Sequence, residues 1–398
     1  MQTVKRALVV GAGIGGLTAA AALAQRGIET TVIEKKPKLG ALGVGINQPG
    51  NALRALKKIG VLEECLEHGF QFDRWVFADQ HGKTIVEVPS LMGEDGIPAS
   101  SALPRPVLAE ILARAAERAG AKLKFDITVE GVTQDPDIAH VTFCDGSIEE
   151  YDIVVGFDGI RSQIRQDTFG PSYNPVHTGF SVWRIPLERH SDIKCATMFQ
   201  GMGTKAGIFP LTDKTMYLLI NTPEPGNPRF EKNRFDELLK DRLSQYTGLV
   251  GEIRENISGP GDIIYAPTEE VFLPSWYKGR VIVLGDAAHA CAPHGTQGAA
   301  MAIEDAVVLS EILSMGDPLS DALDMFMNQR YPRCKFVQDI SRETLFREMD
   351  TMDQVALERR KLHMLKNLRN EMQSLDTFLN QPPLNLVPPL NLVGSSSV

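Results

Sequence analysis

Three stretches of this 398-residue chain share one chemical form, an apolar run that stops at a glycine and an acid. In the first, Lys5 to Val10 runs into GAGIGG, and a second apolar run, Thr30 to Ile33, ends on Glu34. In the second, the run from Asp152 to Phe157 ends in Asp158-Gly159, with Arg161 and Arg165 close behind. The third spans Gly279 to Asp305, GRVIVLGDAAHACAPHGTQGAAMAIED. It reads as a buried strand, then Gly285-Asp286, a loop with Pro293, His294, Gly295 and Gly298, and the helical AAMAIEDAVVLSEIL. A strand that empties into a small-residue loop and a helix start presents free backbone N–H groups, and a carboxylate there can accept from sugar hydroxyls. Such ends suit a diphosphate- and sugar-bearing ligand.

The elements that must position these groups are legible around them. Gly11, Gly13 and Gly16 stand in G-x-G-x-x-G register before an Ala-rich helix, Leu17 to Gln25. The first glycine permits the tight turn, the second lets the backbone approach a pyrophosphate, and the third lets helix and strand pack closely. Glu34, 18 residues after Gly16, is placed to accept from a ribose hydroxyl, so a βαβ unit is expected; the motif alone leaves FAD and NAD undistinguished. Residues 42–46 read as loop, and Asp73 to Val88 as two strands around a turn at Asp79 to Gly82. Arg105, between Pro104 and Pro106, opens a helix, where a cation gains nothing from the helix dipole; ligand contact and a plain surface position both explain it. Ala121 to Tyr151 reads as strands and turns. From Gly170 to Tyr265 the period changes to alternating strands, Thr178–Ile185, Cys195–Gln200, Lys205–Pro210 and Met216–Thr222, with a helix at Arg234 to Gln245. Such a sheet makes a good wall for a substrate pocket, with Trp183, Arg184, Phe209 and Tyr217 as lining candidates, although aromatics on strands also build plain core. Pro318 to Asp350 is helical with a kink or boundary at Tyr331-Pro332, and Met352 to Leu379 is a charged amphipathic helix.

Bulk properties narrow the partners. The length suits two domains, because single cores rarely outgrow ~250–300 residues. A net charge of −9 with scattered basic residues argues against a nucleic-acid groove or an anionic membrane face. Ala7 to Ala24 is uncharged, but its glycines and the Arg26-Gly27 stop favour a strand-turn-helix over a membrane span. Five cysteines without C-x-x-C spacing argue against a disulfide framework or a zinc site, and for a cytoplasmic chain.

The trio of strand ends, in this order, resembles the FAD-dependent single-component aromatic hydroxylases of the salicylate hydroxylase and para-hydroxybenzoate hydroxylase type, over roughly residues 5 to 335. The resemblance implies an α/β fold: a Rossmann-like FAD-binding domain with an inserted, mostly antiparallel β-sheet substrate domain and C-terminal helices. The expected division is 1–72, 100–170 and 277–335 for the FAD-binding domain, and 73–99 and 171–276 for the substrate domain. A helical region follows at 336–380, then an extended or disordered tail at 381–398 that repeats PPLNLV. It implies FAD as cofactor, held by Gly11, Gly13, Gly16 and Glu34 at the ADP half, Arg105 toward the flavin, Asp158 and Gly159 in a fingerprint shared with NAD(P)H binding, and Gly285 and Asp286 at the ribityl chain. Pro293 to Gly298 would pass along the flavin ring, and the helix starting near Gly298 would stabilise negative charge on it. NADH or NADPH is expected as a transient co-substrate, since no second G-x-G-x-x-G is present.

The implied activity is hydroxylation, through a flavin hydroperoxide, of a small phenolic or N-heteroaromatic ring of hydroxybenzoate or hydroxypyridine type. Its partners would be that ring and O2, without nucleic acid, membrane or metal, in a monomer or homodimer. Two alternatives belong to other classes: a same-fold epoxidase or reductase acting on a larger apolar substrate, and an FAD-binding sensor without turnover. His294 is the expected base beside the ring, with Pro293 and Tyr217 as further catalytic candidates and Arg184, Trp183 and Phe209 as substrate contacts; a loop-bonding role for His294 stands beside the first. His289 reads as structural. Two departures from the family pattern stand out: Thr296 where glycine commonly lets the flavin pass, and Phe157 where a small residue commonly precedes the Asp-Gly pair.

Overall fold

A computed structural model describes residues 4–40 and 43–384. The uncharged run Leu8–Val10 pairs in parallel register with Thr31–Ile33 on one side and Val154–Gly156 on the other. Both neighbours are buried on two faces, which is why all three read as continuous apolar runs rather than alternating ones. The complete sheet has six strands in the order Tyr277–Lys278, Val281–Val283, Ile153–Gly156, Arg6–Val10, Glu29–Glu34 and Lys122–Phe125. All pairings but the first are parallel. Helix Ile14–Gln25 packs against helix Gly298–Leu313 over this sheet, and their small residues allow the close approach.

The change of period at residue 170 marks a second sheet. It has seven strands in the order Ile264–Glu270, Val176–Glu188, Thr215–Pro223, Lys205–Pro210, Ala196–Gln200, Arg74–Asp79 and Thr84–Pro89. The pairing of Ala196–Gln200 with Arg74–Asp79 is parallel and the rest antiparallel. One face is covered by helices Phe235–Arg242 and Gly248–Asn256 over a core that includes Trp183, Leu218, Leu239 and Tyr246. The fold is thus a Rossmann-like sheet with an inserted, mostly antiparallel one. Two small antiparallel sheets complete it. One is Val129–Gln134, Ala139–Phe143 and Ile148–Tyr151; the other joins Gly45–Pro49, Ser100–Pro104 and Phe70–Phe72. Part of the expected 42–46 loop is therefore a strand edge.

The expected break at Tyr331-Pro332 does not occur. Leu319–Met349 is one 31-residue helix with Pro332 inside it. The missing N–H is tolerated because the flanking side chains are locked: buried Arg330 and Arg333 both grip the preceding helix. A division between 335 and 336 therefore falls within a continuous helix. The amphipathic stretch beyond it is helix Gln354–His363, a π-helical turn Met364–Leu368 and helix Arg369–Asn380. The PPLNLV repeats lie, from residue 385, outside the described residues.

Glu304 accepts from Arg330 at 2.6 Å and from Arg333 at 2.7 Å, and all three are at most 1% exposed. Burial pushes the Glu304 carboxyl up, but the two guanidiniums outweigh it and hold it at about 2. A carboxylate depressed in the folded state stabilises the fold above its unfolded value of 4.5 and loses that contribution as pH falls toward about 2. Glu304→Gln is therefore expected to cost ~3–5 kcal/mol at neutral pH. Urea unfolding of the two proteins should show that difference narrowing as pH falls through this window.

Candidate cofactor and substrate site

The glycines of the first turn divide by what their hydrogens face. A Cβ on Gly16 would lie 1.9 Å from the Gly11 carbonyl oxygen, and one on Gly11, at φ +105°, 2.5 Å from the Phe157 carbonyl. Those two are required by packing. A Cβ on Gly13 would meet nothing within 4 Å, so the backbone there borders open space at the uncapped start of a 12-residue helix. Glu34 ends its strand beside this turn, with Oε2 accepting from Ala12 N–H at 3.1 Å.

The other two strand ends converge here. Asp158 uses Oδ2 to cap helix Gln163–Phe169 through the N–H groups of Gln163 and Ile164, and leaves Oδ1 buried without a partner. Gly159 and Gly285 both take positive φ, and Asp286 is exposed while its neighbours are buried. The Phe157 ring fills the gap between the glycine-rich helix start and Gly285, 2.6 Å from where a Cβ on Gly15 would stand. The arginines after Asp158 are already used: Arg165 donates to the Ala287 and Ile160 carbonyls, and Arg161 binds both oxygens of Glu269.

Arg105 has no hydrogen bond or ion pair from its guanidinium among the described residues and lies beside Gly43. Asn47 and Gln48, on the strand edge that sequence reading left as background, carry buried amide atoms without partners, and Asn47 Nδ2 donates to Thr296 Oγ1 at 3.3 Å. Thr296 holds left-handed backbone at φ +52°, a strained state for a β-branched residue, and the Asn47 contact offsets part of that cost. Gly298 begins a 16-residue helix with no side-chain cap. Open glycine backbone, an orphaned carboxylate oxygen, an unpaired arginine and unpartnered amides are what a bound dinucleotide would satisfy, so the residues present fit FAD.

A cavity of about 490 Å³ opens between the seven-stranded sheet, the Pro293–Gln297 loop and the C-terminal helices. Arg184, Phe209, Gln200, Lys205 and Asn221 reach it from the sheet. Arg184 has no acid partner among the described residues; burial, and then Arg105, pull its guanidinium below the usual range while Tyr217 opposes. Tyr217, expected at the cavity, is not among the lining residues: its buried ring stacks on Phe209 at 5.3 Å between ring centroids, and burial pushes its phenol up to about 12.

Two more expectations about this cavity change. Trp183 is fully buried against Phe230, Phe235 and Tyr265 on the opposite face of its strand. Strand alternation sends Val182 and Arg184 to the cavity and the indole between them to the far core. His294 borders the cavity, yet its side chain is 1% exposed. Its imidazole turns into helix Leu319–Met349, where Nε2 donates to Glu348 at 2.8 Å, and Glu348 also accepts from Lys205. Burial lowers the His294 pKa, Glu348 opposing and Lys205 adding to the drop, which leaves a neutral ring with the proton on Nε2. Glu348 is pushed up by burial but held at about 2 by His294 and Lys205. Neither partner was visible from sequence: Glu348 is 54 residues from His294 and Lys205 is 143 from Glu348, with no local motif at either. His289 belongs to another buried group, with Asp305 and Cys334 near enough to share an ion. Asp305 Oδ2 is taken by His289 at 2.7 Å and Oδ1 by Arg330 at 2.8 Å, an ion-pair arrangement.

Fold and site together define a flavin-dependent oxidoreductase. Residues 5–340 match the FAD binding domain family. YetM of Bacillus subtilis (strain 168), described as an FAD-dependent monooxygenase, is 35% identical over 349 residues, 87% of this chain and 94% of its own length. The 6-hydroxynicotinate 3-monooxygenase of Bordetella bronchiseptica is 30% identical over 358 residues, 86% of this chain and 92% of its own. Klebsiella pneumoniae HpxO, solved with FAD and uric acid, superposes with a TM-score of 0.84 at 22% identity, over 95% of this chain and 98% of that one. The chain belongs to the FAD-dependent aromatic hydroxylases, the flavoprotein monooxygenases of salicylate hydroxylase type. No helix among the described residues is long and apolar enough to cross a membrane.

Gly13→Ala separates binding from folding. The added methyl has free space in the protein alone, so the thermal midpoint of FAD-free protein should match wild type. FAD retention through gel filtration should fall, because the methyl would stand in the line of approach expected for the pyrophosphate.

Proposed function

We propose that this protein hydroxylates a small phenolic or hydroxypyridine-type ring, using NADH or NADPH and O2. The supporting observation is the unpaired Arg184 guanidinium in a walled cavity beside the expected flavin loop. A partly buried cation without a counter-ion is costly unless the ligand brings the negative charge. Arg184 would hold the substrate as its phenolate or hydroxypyridine anion. The negative oxygen makes the ring electron-rich at the carbons that must attack an electrophilic oxygen. The phenolic proton then leaves to solvent on binding, and no base in contact with the ring is needed.

Gly11, Gly13, Gly16 and Glu34 would hold the ADP half of FAD, with Asp158, Gly159, Gly285 and Asp286 along its middle and Arg105 and the Gly298 helix start toward the flavin. The chemistry that FAD would supply there when bound is acceptance of hydride from the reduced nicotinamide and activation of O2 for transfer of one oxygen atom. In sum one ring C–H becomes C–OH, the other oxygen leaves as water, and the nicotinamide is oxidised. His294 is a positioning residue in this reading. Its backbone lines the cavity, and the Lys205–Glu348–His294 chain fixes the Pro293–Gly298 loop against the long helix. The Bordetella relative acts on a hydroxylated pyridine carboxylate, which suits the same arginine.

A panel of hydroxybenzoates and hydroxypyridine carboxylates, read as coenzyme oxidation and product mass, tests the assignment; FAD-loaded protein that oxidises no coenzyme faster with any of them overturns it. Arg184→Met should raise KM ~10-fold or more at unchanged FAD content. His294→Ala and Glu348→Gln should lower the yield of product per coenzyme alike and leave the pH profile in place. An acid limb in the wild-type profile that His294→Ala abolishes and Glu348→Gln does not would restore the base role.

A further inference from the structure

The walls of the cavity contribute a second guanidinium that forms no ion pair among the described residues, although Glu348 and Glu371 stand within reach of its charge. Arg360, on helix Gln354–His363, lines the cavity with Met364 and Leu368 of the following π-helical turn. Its Nε is buried and without a partner, and no carboxylate forms an ion pair with it among the described residues. Acids stand nearby, but each is engaged. Glu348 binds Lys205 and His294. Glu371 binds Arg347 and His363, and Glu343 also binds Arg347. Asp376 accepts from the Ser90 hydroxyl and the Leu91 N–H. Arg360 is therefore left without an ion-pair partner of its own, and it sits on a helix that begins beyond the matched family region ending at residue 340.

Arg360 and Arg184 serve different ends of the cavity. The titratable neighbours of Arg184 are Tyr217 and Arg105, on the expected flavin side; those of Arg360 are Glu348, Arg347 and Glu371, all on the C-terminal helices. Between them the lining is apolar, with Phe336, Ile340, Met198 and Leu219. The volume of about 490 Å³ far exceeds the ~150 Å³ that suffices for benzene, so a single ring leaves room unfilled.

We propose that Arg360 is an anion subsite for a carboxylate carried on an apolar arm of the substrate, pointing away from the ring that is hydroxylated. This rests on reading the cavity as the substrate site. The substrate class is then a hydroxyaryl acid whose acid group is separated from its ring by a spacer, rather than a ring carboxylate alone. The long arm runs along the C-terminal helices, and Arg347, held between Glu343 and Glu371, closes the far wall.

The test uses FAD-loaded protein and two homologous series: para-hydroxybenzoate and its ring-to-acid homologues with arms of increasing length up to the pentanoate, and the primary amides of each. Dissociation constants are read from the change in flavin absorbance. Beyond a threshold arm length, the wild type should bind each acid ~10-fold or more tightly than its amide. Arg360→Gln should erase that preference, leave the shortest acid unaffected and leave KM for NADH and NADPH unchanged; Arg360→Lys should restore part of it. Equal binding of acids and amides at every length in the wild type overturns the subsite, as does an unchanged acid preference in Arg360→Gln. A rise in coenzyme KM in that variant assigns the arginine to the nicotinamide's phosphates and overturns it too. If no member of either series perturbs the flavin or stimulates coenzyme oxidation, the substrate reading of the cavity falls with it; binding without acid preference removes the subsite alone.

Discussion

The site depends on two adjacent acids in the middle of one helix. Glu304 and Asp305 project from helix Gly298–Leu313 into the protein interior and are met there by Arg330 and Arg333 of the long helix. Four buried charges in contact are expensive to desolvate, and the network is tolerable because nearly every remaining polar atom is also used. Asp305 Oδ2 reaches the Gly285 N–H and His289, and Glu304 accepts from Asn51, whose amide also donates to Gln297. Arg333 donates onward to the carbonyls of Phe378, Leu379 and Gln381 at the end of the last described helix. One cluster thus ties the third strand end, the Pro293–Gly298 loop and the C-terminal helices to a common origin.

That origin sets the register of everything downstream. With Arg330 and Arg333 pinned, the long helix cannot slide or rotate, and Glu348, some four to five turns later at 3.6 residues per turn, arrives under His294. Lys205 comes to the same carboxylate from the inserted sheet. The helix therefore closes the cavity along its length and locks the loop to both sheets. A helix that had ended at Pro332 could not do this, so the continuity through that proline is a consequence of the network rather than of local propensity.

How far these arrangements were legible follows from the range over which each is encoded. The glycine turn, Glu34 and the two Asp-Gly corners are short-range patterns, in which a backbone conformation demands a residue type within a few positions, and their placement could be anticipated. The fold class followed from the change in apolar period near residue 170 together with the resemblance. Trp183 was misplaced because alternation tells two faces apart without saying which one meets solvent, cavity or helices; only the helices Phe235–Arg242 and Gly248–Asn256 decide that. The helix break was expected from Pro332, whose local cost is real but is outweighed by buried partners 25 to 29 residues away. Glu348, Lys205 and Arg360 carry no local signature at all, because their meaning lies in which charges are left over once distant elements have docked.

Charge left over is also what separates recognition from support in this molecule. The buried ions at Asp305, Glu304 and Glu348 are matched within the protein, and matched ions hold structure without inviting a ligand. Arg105, Arg184 and Arg360 are unmatched, and they are distributed along one path from the glycine-rich turn through the cavity to the C-terminal helices. His294 fits a supporting role: burial, with Lys205 adding to it, lowers its pKa against the opposing pull of Glu348. In the proposed reading the cavity receives negative charge at Arg184 rather than generating it with a base beside the ring. In that reading the ring is held as its anion, having lost its proton to solvent on binding, and is activated by its own charge, while its neutral form meets an arginine it can only partly satisfy. Discrimination between substrates then begins with ionisation state, before any contact with the ring carbons is made.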